Sequence, residues 1–137
     1  MNNEKAAFGM VGVGLAYIFG NLDIMLATLL IFIVIDFISG CAKAWVQKEI
    51  TSGKFYLGGV KKIGIILIIA VATQLDKLIL GDNVVLRSVA ISYYIACEGL
   101  SILENWGGLG LPLPKALKIA LLKIKEENPS GDEEEKR

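Results

Sequence analysis

The chain has 137 residues, 54% hydrophobic and only 20% charged, with 14 basic residues balancing 14 acidic ones and a mean hydropathy of +0.58. Soluble domains carry nearer about 25% charge, and 8 of the 28 charges here crowd into residues 126–137, so the remainder cannot clothe a water-soluble globule. The absence of histidine excludes Ser-His-Asp and Cys-His catalysis, imidazole metal sites and histidine pH switches, and the basic charge flanks apolar runs instead of forming a face for nucleic acid.

Four apolar segments follow in chain order. Residues 6–20 are uncharged and extend about 22 Å as a helix at 1.5 Å per residue, short of a hydrocarbon core of about 30 Å. This segment is expected to be a short span that thins the bilayer or a helix lying in the interface. Its stripe of Gly12, Ala16 and Gly20 suits close backbone packing, and favours a hairpin with the second segment. Residues 24–42 are interrupted only by Asp36, residues 63–80 begin with thirteen uncharged positions, and residues 84–103 contain Arg87 and Glu98. Each of these three is close to the roughly 20 residues that a spanning helix needs. Ser88, Ser92 and Ala96 form a second small-residue stripe on the fourth segment.

Residues 106–114 hold three glycines and two prolines, a composition that predicts the end of the helix. Residues 115–127 return to helical periodicity, with Leu117, Ala120, Leu121 and Ile124 at i, i+3, i+4 and i+7. This amphipathic helix is expected to lie on the anionic inner leaflet, where each Lys contributes about 1 kcal/mol, or to pack as a solvated helix on the preceding loop. The expected architecture is therefore an all-α integral membrane protein. Residues 1–127 form a membrane domain of three transmembrane helices, a short N-terminal apolar helix and a C-terminal amphipathic helix. Residues 128–137, with Pro129 and an acidic run, read as a disordered tail.

Lysine placement sets the orientation. The connection over 42–62 carries Lys43, Lys48, Lys54, Lys61 and Lys62 against Glu49, whereas the flanks of the turn Gly81-Asp82-Asn83 are balanced. Lys115, Lys118, Lys123 and Lys125 follow the fourth segment. The positive-inside rule then places 42–62 and the C-terminus in the cytoplasm and 81–83 outside. The N-terminal side depends on whether 6–20 spans.

Charges inside apolar spans are the strongest functional candidates. Asp36 and Glu98 fall at similar depth near the inner ends of their helices, and Lys61 and Lys62 open the third segment on that side. Contacts among Asp36, Glu98 and the lysine pair are expected, either as a structural ion pair or in assembly or in lining a water-filled lesion. Tyr93 and Tyr94 need hydroxyl partners at mid-span. Cys41 and Cys97 match no metal or disulfide pattern and read as small hydrophobes. Gly53, Gly58 and Gly59 match no phosphate loop, and Glu98 and Glu104 point to different helix faces. No enzyme activity, metal or cofactor is expected.

The ordered motifs resemble the bacteriophage holin family that includes the clostridial toxin-secretion holins. The resemblance begins at Asp36-Phe37-Ile38-Ser39-Gly40, continues through Lys43, Ser52, Gly58 and Val60-Lys61-Lys62, and is most specific at Glu98-Gly99-Leu100-Ser101-Ile102-Leu103-Glu104-Asn105. That octet is similar to the family's E-x-x-S-I-x-E-N, and Pro112 and Pro114 follow like its G-x-P-x-P. The resemblance implies a homo-oligomer that accumulates in the cytoplasmic membrane of a bacterial host. It further implies lesions through which a cell-wall hydrolase (endolysin) or a large toxin passes. A small transporter or ion-channel subunit is the alternative, and would need broken helices or converging polar groups at mid-membrane. A scaffold recruiting cytoplasmic partners through the basic connection and acidic tail is a third.

Overall fold

A computed structural model of the chain describes residues 2–128. Five helices are found among these residues, with no strand: α1 (Asn3–Phe19), α2 (Ile24–Val46), α3 (Ser52–Ile79), α4 (Val85–Gly108) and α5 (Lys115–Glu127). Helices α2, α3 and α4 are long and apolar enough to cross a membrane, where only a helix or a closed barrel satisfies its own backbone. None of the three contains proline.

The starts of α2 and α4 are fixed by carboxylates. Asp23 caps α2 by accepting the Leu26 N–H at 2.9 Å, as short polar side chains do at helix N-termini. Asp76 of α3 accepts the N–H groups of Leu86 and Arg87 at 2.8 Å each, satisfying the first turn of α4 from a neighbouring helix.

Helix α4 lies at the centre, with α2, α3 and α5 packed around it, while α1 leans on α3. The apolar core joins Leu26 and Leu29 of α2, Ile65 and Ile69 of α3, and Ile91 of α4. Most of the remaining apolar surface faces outward, including Ile38, Leu67, Val71 and Val85. For a membrane protein this is the lipid-facing side.

Four sequence expectations need correction. The connection over 42–62 is mostly helix, and the link between α2 and α3 shrinks to residues 47–51. Two contacts hold the early start of α3: Phe55 packs edge-on against Phe37 at 6.4 Å, and Lys54 pairs with Glu49 at 3.1 Å. The fourth helix does not stop at Leu103 but runs through Trp106 to Gly108, because Asn105 is hydrogen-bonded to α2 and holds the extra turn in place. The break comes at Gly110, whose φ is +82°. Helix α1 starts at Asn3, three residues before the expected segment, and its partner is α3 rather than α2. Thr73 and Gln74 donate to the carbonyls of Phe19, Tyr17 and Ile18, and Lys77 donates to that of Tyr17. An apolar groove of about 470 Å³ separates α1 from Leu26, Leu30 and Ile66, so Gly12 and Ala16 line open space and form no tight hairpin with α2. Finally, α5 packs along α4, a partner that neither expected position named. Beyond Asn128, the expected disordered tail lies outside the described residues.

Candidate functional site

Between α2, α3 and α4 the bundle buries two polar layers, one toward each end, called inner and outer after the orientation expected from the lysines. In the inner layer, the Lys62 ammonium donates to Asp36 Oδ2 and to Glu98 Oε2. Asp36 and Glu98 are 8% and 6% exposed, so these charges are removed from the surroundings. Two unpaired carboxylates at this depth would be costly. A single ammonium between them offsets part of that cost, and Asn105 adds a neutral donor to Asp36. Its Nδ2 donates to Asp36 Oδ1 at 3.1 Å and to Ser39 Oγ at 2.9 Å, while the Ser39 hydroxyl donates to the Asp36 carbonyl at 3.0 Å. The layer thus ties three helices together through five side chains.

Of the expected pair of lysines, Lys62 enters this layer and Lys61 stays exposed. Helical geometry explains the split, because adjacent residues point about 100° apart. Gly40 faces Asn105, where a Cβ would stand 3.6 Å from Nδ2. Ser101 lines clefts on both sides of α3, one of about 230 Å³ with Gly40, Gly58 and Phe55, the other of about 680 Å³ with Lys61, Gly64 and Tyr94. Glu104, Pro112 and Pro114 are exposed and lie outside the layer. Ala96 is fully buried in the helix packing, Ser88 and Ser92 are half-buried, and Gly20 abuts the Arg87 side chain. Tyr93 and Tyr94 stack edge to face at 5.3 Å.

The outer layer was not foreseen: Arg87 stood out within the fourth segment and Asp76 as a flank of the 81–83 turn, but nothing joined them to Asp23. Arg87 is 2% exposed. Its guanidinium donates to Asp23 Oδ2 at 2.7 Å, the Phe19 carbonyl at 2.9 Å and the Asn21 carbonyl at 2.8 Å. These bonds fasten the α1–α2 link onto α4, while Asp76 beside them caps that helix. Burial alone would raise the Asp23 carboxyl, but the Arg87 hydrogen bond and charge prevail and hold it below its ordinary range. The signal was present in the sequence: Arg87 and Asp76 inside two apolar runs, with Asp23 bordering a third.

The layers are about 17–21 Å apart, from the 11 to 14 residues between them on each helix at 1.5 Å per residue. No buried side-chain nitrogen or oxygen among the described residues lacks a hydrogen-bond partner. The arrangement holds charges inside a bundle and presents an apolar exterior. It assembles no nucleophile with a base among the described residues.

A family model described as the bacteriophage holin family matches residues 13–126. An uncharacterized protein of Listeria innocua is 40% identical over 130 residues, covering 93% of this chain and 91% of the relative. An uncharacterized protein of Clostridium perfringens is 41% identical over 120 residues, covering 85% and 90%. A probable holin of Bacillus phage phi105 is 34% identical over 128 residues, covering 93% of each chain. No solved structure gives a significant match.

Proposed function

We propose that this chain, which belongs to the bacteriophage holin family, accumulates in the cytoplasmic membrane of a bacterial host and self-assembles there into lesions. Through these lesions a cell-wall hydrolase reaches the peptidoglycan, or a large toxin leaves the cell. The observation that carries the reading is the division of charge within the bundle. Asp36, Lys62, Glu98, Asp76 and Arg87 turn inward, while the surfaces of α2, α3 and α4 are mostly apolar. Such a chain is stored safely as single copies in lipid. Its association then depends on helix packing, because lipid offers no hydrophobic drive between helices, and it grows with surface density by mass action. In this reading the partners are other copies of the chain and the bilayer, with a functional link to an endolysin or toxin, and the C-terminus is cytoplasmic.

Controlled expression in a bacterium tests the reading, with membrane potential and leakage of a cytoplasmic enzyme followed together. A sudden loss of potential accompanied by enzyme release is the expected result. Loss of potential with the enzyme retained would indicate a small channel, and an intact membrane would indicate a scaffold. Either outcome overturns the lesion role.

A further inference from the structure

Among the described residues, α5 carries a charged face alongside the spanning helix α4 that the bundle does not enclose. Helix α5 starts beyond the inner end of α4 and runs back along it. The Leu121 side chain meets α4 at Gly99, one residue from the inner polar layer, and Asn128 lies in a cleft with Leu86, Val89 and Tyr93. From Leu121 to Asn128 the helix advances about 10 Å past that layer toward the bilayer centre. It packs along α4, and Lys125 is half-buried in that contact. Lys118, Lys123, Glu126 and Glu127 are exposed, whereas Leu121 and Ile124 are half-buried.

The seat of this contact is specific. A Cβ at Gly99 would stand 2.7 and 2.9 Å from the Leu121 methyls and 3.1 Å from the Phe32 ring, so only glycine leaves the notch that Leu121 fills. The seat therefore favours the packed position, but solvation opposes it in an intact bilayer. Charged side chains within hydrocarbon depth face a bundle interior or a water-filled cavity, and Lys123, Glu126 and Glu127 face away from the bundle interior. In lipid, an amphipathic helix with this lysine content rests instead on the anionic leaflet. Water along its outer face removes that opposition.

We infer that α5 is the wetted lining of the lesion: it lies on the inner leaflet while the chain is stored, and packs into the Gly99 notch, charged face outward, when the lesion opens. This inference rests on the lesion role proposed above. It adds the surface that such a lesion needs, since the outward faces of α2, α3 and α4 are mostly apolar. It also sets a requirement that leaflet anchoring does not: the outer face of α5 must be polar, whatever the sign of its charge.

The test uses the full chain, expressed in bacteria, with Cys41 and Cys97 replaced by Ala. In one arm, Gly99 and Leu121 are kept, Val89→Cys is combined with Asn128→Cys across the cleft that these two positions share, and a short membrane-permeant bismaleimide is added before and after enzyme leakage begins. A cross-link that rises at least severalfold with leakage is expected, and a cross-link already complete in the stored state overturns the inference. In the second arm, Lys118 and Lys123 are replaced together by Leu or by Gln, at matched membrane levels. The Leu variant should lose enzyme release while the Gln variant keeps its onset within about twofold. Equal failure of both variants would assign α5 to leaflet anchoring, and normal release by the Leu variant would remove any need for a polar face. Either result overturns the lining role. An unsubstituted chain that never releases the enzyme refutes the lesion role itself, and is recognised before any variant is compared.

Discussion

At the scale of single residues, Lys62 is the one cation between two carboxylates, and its side chain is only 18% exposed, with 11% for Asp36 and 8% for Glu98. Removing one member of a fully buried pair costs about 3–5 kcal/mol. Residual exposure and a long lysine stem near the interface reduce that to about 1–2 kcal/mol here. An equilibrium coupled to this layer then moves roughly five- to thirtyfold. Glu98→Gln and Asp36→Asn should therefore delay or abolish lysis at matched membrane levels, whereas Asp82→Asn in the outer turn should keep the normal onset. Unchanged timing in both neutral variants would reduce the inner layer to a passive feature. The outer layer makes a separate prediction, in pH. Asp23 titrates below its ordinary value of 3.8 because Arg87 favours the charged carboxylate. A carboxyl lowered by folding stabilises the fold above its unfolded value, and that contribution disappears as pH falls through the folded value. The melting temperature of the detergent-solubilised chain should lose this contribution below about pH 4, and Asp23→Asn should flatten that part of the profile. An identical acid limb in the variant would mean that the Asp23–Arg87 pair does not couple to folding.

At the scale of helices and links, Gly20 ends α1 at φ +77°, and a Cβ there would stand 2.7 Å from Arg87 Nε. Gly20→Ala combines a left-handed backbone with crowding against the buried guanidinium, and should cost about 1–3 kcal/mol. Gly12→Ala is the control, because nothing lies within 4 Å of its Cβ position. Thermal unfolding of the two variants in the same detergent should separate them, and equal stability would show that the α1–α2 link is not held as described. The same comparison shows what the sequence made legible. Helices α2, α3 and α4 were readable because apolar runs of spanning length with at most two charges each have few other solutions. Their inner ends were not. Lys54, Gly58 and Gly59 argue locally for a loop, yet Phe55 against Phe37 and Lys62 against Asp36 extend α3 through them. Glycines 107 and 108 likewise argue for a stop, and Asn105 overrides them from across the bundle. Asp36, Glu98 and a lysine were legible as neighbours from their matched depth, whereas the choice of Lys62 over Lys61 depends on helix rotation. The Arg87 layer was half legible: an arginine in an apolar run calls for partners, but the main-chain carbonyls of Phe19 and Asn21 that it binds carry no side-chain signature.

At the scale of the whole molecule, the placement of the lysines favours one orientation of the two layers. Lys43, Lys48, Lys54, Lys61, Lys115 and Lys118 cluster around the ends of the bundle beyond the inner layer, while the α3–α4 link carries Asp82 and sits beside the Arg87 layer. Loop lysines are retained on the cytoplasmic side, so the end bearing the 47–51 link and the start of α5 should face inward, and the Gly81-Asp82-Asn83 turn outward. Helix α1 runs antiparallel to α2 across the 20–23 link, and its 17 residues extend about 25 Å. A spanning α1 therefore puts both termini in the cytoplasm. Single cysteines at Asn3, Asn83 and Ser130, in a chain lacking Cys41 and Cys97, can be treated with a membrane-impermeant thiol reagent before lesions open. Asn83→Cys should react in intact cells, while Asn3→Cys and Ser130→Cys should react only after the membrane is disrupted. Reaction at Ser130→Cys but not at Asn83→Cys would invert the bundle. Reaction at both Asn3→Cys and Asn83→Cys would leave the bundle as drawn and move α1 from a span to the outer interface.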